Sequence, residues 1–600
     1  MTGGSAAEAS PPSGAFAAAL AVFRQLEATR RRQLFGTMVL MVLGAFAEMA
    51  TIGAVLPLLA MVSPGGESGR YATLLGPVRH LAEGLGIGVL PMAALLLIVV
   101  AIAAAVLRLL LLWAGQNYVF AVAHDLSRAV YARVLHRPYT WHVMHNSSET
   151  LAGMQKVQFV LGNVLLPIMA GTTAAVVALF ILAALVAIDP ATSLVSGLVF
   201  GLLYYGVGKA TRRKLYRSSD VIAESLGARV QAMQEGLGGI RDVLLDRSQA
   251  VFLADFEAID ARFCQAQATN QFIAAAPRFV VEAAGVVLIA GLAVWVSGRP
   301  GGMAAALPML GALALGAQRL LPLVQQVYFS SSQVYGHRAT LIDVAKLLDG
   351  PQSEPLPADQ PAPFTQGIAF EHVGFTYPSA SFPALSGINL AITRGARIGL
   401  AGKSGSGKST FVDLLMGLLE PGEGRILVDG RPLDAAARAA WQAQVAHVPQ
   451  AIFLSDGSIA ANIAFGRAAG QVDMGRVREA ARLAELEDFI ATLPAGFDTP
   501  VGERGVRLSG GQRQRIGIAR ALYKQASVLV FDEATSALDD ETEASVMAAI
   551  ARLPRELTIV MIAHRLTTLR MCDAIVRLDA GRIAGIGPYD LLLAQGQGGE

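Results

Sequence analysis

Six hundred residues, 53% of them hydrophobic and only 16% charged, with a mean hydropathy of +0.48, are too apolar for an ordinary soluble protein and imply several domains, some within a membrane. A net charge of +2 offers no argument for a nucleic-acid partner, and none is expected. Neither Cys264 nor Cys572 has metal-ligand spacing, and both fall on the expected cytoplasmic side, where structural disulfides are rare.

Residues 1–14 are rich in Gly, Ser, Ala and Pro and are expected to be disordered. No signal peptide is expected, because the apolar patch Phe16 to Phe23 has no basic segment before it. Over 16–33, Phe16, Leu20, Phe23 and Leu26 alternate with Arg24 and Arg30 to Arg32, which suits a helix at the membrane surface; a plain extension of the first span is the alternative. Six apolar segments follow, at about 34–62, 90–113, 163–188, 191–208, 273–297 and 303–327, each near the roughly 20 residues a bilayer requires. Arg24, Arg30 to Arg32, Arg128, Arg133, Arg137, Lys156 and the run Lys209 to Arg217 share one side. By the positive-inside rule that side, with both termini, is cytoplasmic. The stretches 114–162 and 209–272 are long and helix-forming. They read as spans continuing into the cytoplasm and turning at Pro138 to Ser148 and around Gly236 to Gly239, where an ATPase could grip them. In the external loop 63–89, Tyr71, Leu74, Leu75, Val78, Leu81 and Leu85 recur at helical spacing. They predict a short amphipathic helix that packs on the spans or meets a lipid tail. Pro351, Pro355, Pro357, Pro361 and Pro363 mark a linker, after which strands and helices of an α/β domain run to about 595.

Gly402-Lys403-Ser404-Gly405-Ser406-Gly407-Lys408-Ser409-Thr410 is a phosphate-binding loop between an apolar strand and a helix. Glycines let backbone N–H groups close on phosphate oxygens, and the helix N-terminus adds its positive end. Lys408 is expected to reach the β- and γ-phosphates and Ser409 to ligate Mg²⁺. Val528 to Glu533 is four apolar residues and two acids, a buried strand ending at the ligand edge of a sheet. Asp532 would hold Mg²⁺, and Glu533 would orient or deprotonate the attacking water. Leu508-Ser509-Gly510-Gly511-Gln512 is a second glycine-rich turn opening a helix. Tyr377 could stack on adenine or be an ordinary strand aromatic.

These motifs, with Gln450 after Val448-Pro449, Gly502 to Gly505, Ser536-Ala537-Leu538-Asp539 and His564, resemble the ATP-binding cassette (ABC) domain in content and order. The resemblance implies a multidomain chain: an all-α six-helix transmembrane domain of ABC-exporter type, then an α/β P-loop ATP-binding cassette domain. Its expected parts are 1–33, a disordered N-terminus and surface helix; 34–330, the membrane domain; 331–367, a linker; and 368–600, the ATPase. It further implies that two such domains face each other in a dimer. Tyr377 stacks the base, Gly402 to Thr410 hold the phosphates, and Gln450 senses Mg²⁺ and nucleotide. Ser509 and Gly511 reach the γ-phosphate from the other copy, Asp539 is among the ATP-binding residues, and His564 steadies γ-phosphate and water. ATP and Mg²⁺ are the expected cofactors.

Charged residues inside spans are costly and usually functional; here they are Glu48, Arg108, Arg278, Glu282 and Arg319. At about 1.5 Å per residue, the three arginines fall near the inner third on three helices, where they could ring an anionic headgroup. The competing expectation is internal pairing, Arg278 with Glu282 in particular. Glu48 is expected at a different depth, as a separate polar site. Phe46 to Gly53, Pro138-Tyr139, His145 to Glu149 and Glu235 to Arg241 resemble the PglK-type lipid-linked oligosaccharide flippases. That resemblance implies a polyprenyl-pyrophosphate glycan as cargo at a bacterial inner membrane. Export of a peptide or amphipathic small molecule is the alternative within the family, and an ATP-gated channel the alternative outside it.

Overall fold

The computed structural model describes residues 17, 20, 27–62, 72–188, 190–297, 302–349, 364–534, 540–563 and 566–590. The chain divides into two compact units: Met1–Arg137 with His145–Ser353, and Pro138–Met144 with Glu354–Glu600.

The first unit is helical. Its helices are α1 (Ala28–Val62), α2 (Ala72–Leu85), α3 (Val89–Leu135), α5 (Ser147–Val160), α6 (Leu166–Ile188), α7 (Pro190–Gly238), α8 (Ile240–Leu245), α9 (Gln249–Ala275), α10 (Pro277–Ser297), α11 (Gly302–Gly336) and α12 (Arg338–Leu348). The short α4 (Tyr139–Met144) groups with the second unit. Pro190 and Pro277 open α7 and α10, the position where a missing N–H costs no helical bond. The 47 residues of α3 and 49 of α7 extend about 70 Å at 1.5 Å per residue, more than twice a hydrocarbon core of about 30 Å. Both helices therefore run well past the bilayer, as their polar second halves predict. Among the described residues, 28–55, 89–135 and 148–186 are long and apolar enough to cross a membrane. Of the other three expected spans, 191–208 falls within α7, 273–297 begins in the last turn of α9 and continues as α10, and 303–327 falls within α11.

Of the predicted surface helix over 16–33, the structure describes Ala17 and Leu20, both helical and exposed, and the residues from Glu27 on, where α1 begins at Ala28. The external amphipathic helix is present as α2. Val78 and Ala82 pack on Met92 and Ala93 of α3, while Leu81 and Leu85 stay exposed.

In the second unit, a six-stranded sheet has the order β10-β9-β3-β8-β7-β6, with β3 (Arg397–Ala401), β6 (Val445–Val448), β7 (Val528–Asp532), β8 (Thr558–Ile562) and β9 (Ala574–Asp579) parallel, and β10 (Arg582–Gly587) antiparallel at the edge. An antiparallel sheet of β1 (Gly367–Phe375), β2 (Leu385–Thr393), β4 (Glu423–Val428) and β5 (Arg431–Pro432) has the order β2-β1-β4-β5. The central strands are apolar throughout because both faces are covered. Leu529, Phe531, Ile559 and Met561 enter one core, while Val528, Val530, Val560 and Ile562 enter the other. Two helices carry site residues: α13 (Lys408–Leu415) and α14 (Gly510–Tyr523).

Candidate functional site

Parallel pairing brings the C-terminal ends of β3, β6 and β7 to one edge, so Gly402, Gln450 and Asp532 converge although 130 residues separate the first from the last. The loop after β3 needs its glycines for steric reasons. Gly402 and Gly407 have φ of 156° and 99°. A Cβ on Gly402 would lie 2.4 Å from the Leu578 carbonyl oxygen, and one on Gly407 would lie 2.7 Å from that of Ala384. Gly407 leads directly into α13, which begins at Lys408.

Lys408 is buried and donates to the carbonyl oxygens of Gly402 (2.9 Å) and Lys403 (3.0 Å), closing the loop on itself. The Ser406 hydroxyl is buried with no hydrogen-bond partner among the described residues. An orphaned donor, an ammonium held at the loop's mouth and a cradle that any side chain would fill suit the phosphate groups of a nucleotide.

Carboxylates crowd the same edge. Burial pushes Asp413 of α13 up to about 6, and the charge of Asp532 adds to it. Burial also raises Asp532, Glu533 raises it further, and Lys408 draws it back down. Two half-buried acids beside one ammonium lack positive charge, which suits a divalent cation held by Asp532. Glu533 has a left-handed backbone (φ 49°), and its N–H is tied to the Ile562 carbonyl (3.0 Å). The amide Nε2 of Gln450 donates to Glu533 Oε2 at 2.8 Å, linking the ends of β6 and β7. The strained backbone directs the Glu533 carboxylate away from the strand run that precedes it.

Tyr377, just beyond β1, pairs its hydroxyl with Thr410 Oγ1 (3.3 Å) and meets Phe375 edge-on at 5.0 Å. Ser509 caps α14 in a capping box: its hydroxyl accepts from Gln512 N–H (3.2 Å), and Gln512 Oε1 accepts from Ser509 N–H (2.9 Å). Ser409 and Thr410 lie in the first turn of α13. Ser404 and Gly405 lie in the loop before it, and Leu508, Gly510 and Gly511 flank the Ser509 cap. Asp539 and His564 lie outside the described residues.

Two residues join this edge that the motifs did not assign to it. Asp413 sits on α13, five positions after Lys408. Tyr139 of α4 has its phenol raised by burial and then by Asp413, Tyr377 and Asp532. Asp413 has a readable signal, an acid among apolar residues in the helix after a phosphate loop. Tyr139 has none in its local sequence.

The membrane unit corrects one expectation. Glu48 is not a separate polar site. Its carboxylate is buried and pairs with both Arg108 and Arg319, the latter at 2.7 Å, so α1, α3 and α11 meet at one depth. Arg278 is held by Glu282 at 2.7 Å, because i,i+4 spacing puts both on one face of α10. The two arginines on Glu48 keep side chains 53% and 41% exposed while the carboxylate is 9% exposed, leaving a cluster of net charge +1 with its cations outward.

Residues 385–536 match the family described as ABC transporter. An ATP-dependent lipid A-core flippase of Alkalilimnicola ehrlichii is 35% identical over 406 residues, covering 66% of this chain and 67% of its own. An uncharacterised ABC transporter ATP-binding protein of Sinorhizobium fredii is 32% identical over 495 residues, covering 80% and 81%. Among solved structures, a bacterial Atm1-family ABC exporter with ATP bound superposes with a TM-score of 0.73 at 25% identity, covering 95% of this chain and 97% of that one.

Proposed function

The chain belongs to the ABC transporters, with membrane and ATP-binding parts fused, and on that premise we propose that two copies form an exporter that hydrolyses ATP to move a lipid carrying a phosphorylated glycan. The observation that carries the ATPase reading is the shared sheet edge where the phosphate loop, Gln450, Asp532 and Glu533 meet.

In this reading Tyr377 stacks the base, the loop Gly402 to Thr410 and Lys408 bind the phosphates, and Ser406 gains the partner it lacks. Ser409, Asp532 and Gln450 would hold Mg²⁺, which would neutralise charge on the β- and γ-phosphates. Glu533 exchanges its bond from Gln450 for the attacking water, which it orients and deprotonates. Ser509 and Gly511 of the second copy close over the γ-phosphate, with Asp539 and His564 completing the site. A second copy is also favoured by an uncovered apolar tip on the membrane unit, where Leu237, Leu244, Leu245 and Leu253 are 69%, 57%, 78% and 64% exposed.

For the cargo we favour a polyprenyl-pyrophosphate glycan, flipped across a bacterial inner membrane with both termini cytoplasmic. Relatives named lipid A-core flippase support a glycolipid of this general kind. The outward arginines on Glu48 support an anionic headgroup, since guanidinium binds phosphate oxygens through paired N–H donors. The test is ATPase rate in lipid nanodiscs with and without a polyprenyl-pyrophosphate sugar, with Glu533→Gln as blank. Stimulation by that lipid supports the reading. Stimulation only by lipid A-core, a peptide or an amphipathic drug moves the cargo there and leaves the transporter in place.

A further inference from the structure

The longest helix of the membrane unit, α7, carries a stripe that the transport reading does not use. Leu198, Leu202, Tyr205, Lys209, Arg212 and Tyr216 are spaced 4, 3, 4, 3 and 4 apart, so they share one helical face. Leu198, Leu202 and Tyr205 are 63%, 60% and 69% exposed, and Lys209 and Arg212 are exposed as well. The face changes from aliphatic to aromatic to basic in one direction. From Leu198 to Arg212 is about 21 Å at 1.5 Å per residue, close to one leaflet of about 20–22 Å including its headgroups.

Basic residues that merely snorkel keep their rotamer freedom. Arg212 does not. Its Nε–H donates to the Tyr216 hydroxyl at 2.9 Å, and its guanidinium lies 5.4 Å from the Tyr216 ring and 5.1 Å from the Tyr335 ring of α11. Arg338 of α12 stacks on Tyr216 at 5.3 Å, and the two tyrosine rings meet edge-on at 5.9 Å. Two guanidiniums are thus set in place by a pair of tyrosines joining α7 to α11 and α12, with Arg212 exposed at the basic end of the stripe. A pre-set guanidinium loses less entropy on meeting a phosphate than a free lysine does.

We infer that this stripe is a binding site for one anionic phospholipid, its chains along Leu198 and Leu202 and its phosphate on Lys209 and Arg212. The site lies at the basic end of α7 and is distinct from the Glu48 cluster, so it stands or falls independently of the cargo.

Native mass spectrometry of the full-length protein, released from nanodiscs holding equal phosphatidylglycerol and phosphatidylcholine of matched chains, tests it. The wild type retains phosphatidylglycerol in preference. Arg212→Ala cuts that preference roughly fivefold, the effect of one basic residue near a membrane surface. Lys214→Ala removes the same charge two positions on, on the other side of the helix, and leaves the preference intact. Arg212→Lys keeps the charge but not the stack, and loses most of the preference. Tyr216→Phe removes only the hydroxyl that holds Nε, lowers the preference in part, and serves if Arg212→Ala does not fold. Equal losses from Arg212→Ala and Lys214→Ala would overturn the site in favour of general electrostatic attraction. No preference in the wild type would also overturn it, as expected if a second copy covers the stripe.

Discussion

The two units hold the charged groups of their principal sites in different ways. In the ATPase unit polar groups accumulate at one sheet edge, at and after the ends of β3, β6 and β7, and two stay under-satisfied: the Ser406 hydroxyl has no partner among the described residues, and burial raises Asp413 to about 6. In the membrane unit the charged groups expected inside the spans pair with one another, Glu48 with Arg108 and Arg319, Arg278 with Glu282. The first arrangement leaves bonds for a ligand to complete. The second stabilises helices that have little hydrophobic drive to associate in lipid. A site poised for chemistry and a lock between helices should respond differently to the loss of one carboxylate.

The largest expected effect tests the ATPase side. Glu533→Gln should slow hydrolysis by about 10³-fold while ATP remains bound, because a general base is lost but no phosphate contact is. Gln450 Nε2, which donates to this carboxylate, can bond an amide oxygen as well, so folding should be unchanged. Phosphate release and retained nucleotide measured together check this; turnover at the wild-type rate would remove Glu533 from the mechanism.

Glu48→Ala should do the reverse, with loss of folded stability before loss of basal ATPase. Removing one partner of a buried pair costs about 3–5 kcal/mol, and here the low end, about 3 kcal/mol, is expected because the arginines are 53% and 41% exposed. Thermal unfolding in nanodiscs measures it. An unchanged midpoint, with cargo stimulation lost, would show that the cluster is a binding site and not a lock.

The two sites also differed in legibility. Lys408, Asp532, Glu533 and Ser509 could be placed from sequence because each sits at a strand end or helix start with a local chemistry of its own, as Gly407 does with its φ of 99°, whereas Gln450 was placed through the resemblance to the ABC domain. Strand order then brings those ends together without further information. Glu48 could not be matched to its partners, because depth along a tilted helix and rotation about its axis are set by packing on neighbouring helices. Arg278 with Glu282 was legible, since one helix fixes both. Tyr139 was not, since its approach to Asp413 and Asp532 depends on where a distant turn docks.

His337, at the junction of α11 and α12, gives a smaller effect with a defined sign. It is fully buried, its Nδ1 sits 2.8 Å from the Gln333 carbonyl oxygen and Nε2 3.0 Å from Gln267 Oε1, and Phe159 covers it edge-on. Burial pushes the imidazole down to about 4 from an ordinary 6.5, outweighing the Gln333 bond that raises it. The folded state therefore stays neutral where the unfolded state takes a proton. Stability is highest above about 6.5, falls as pH drops toward about 4, and levels off below that. Between pH 7 and 5 this amounts to about 2 kcal/mol. His337→Gln should flatten that part of the profile; an unaltered slope would mean that another group titrates.

The smallest effect is expected from a pair that looks as good on paper as Glu48 with Arg319. Glu371 and Arg425 face each other across β1 and β4 with Arg425 Nε donating to Glu371 Oε2 at 2.6 Å. Their side chains are 42% and 65% exposed, so water screens the attraction and two long side chains must be ordered to make it. A double-mutant cycle should give about 0.5 kcal/mol or less, vanishing at about 1 M salt where the screening length is roughly 3 Å. The Glu48 cluster, with its carboxylate 9% exposed, should keep most of its coupling at that salt. Equal coupling energies for the two pairs would mean that burial of the carboxylate does not separate them, and the contrast between a charge lock in the membrane and a solvated pair on the ATPase would have to be abandoned.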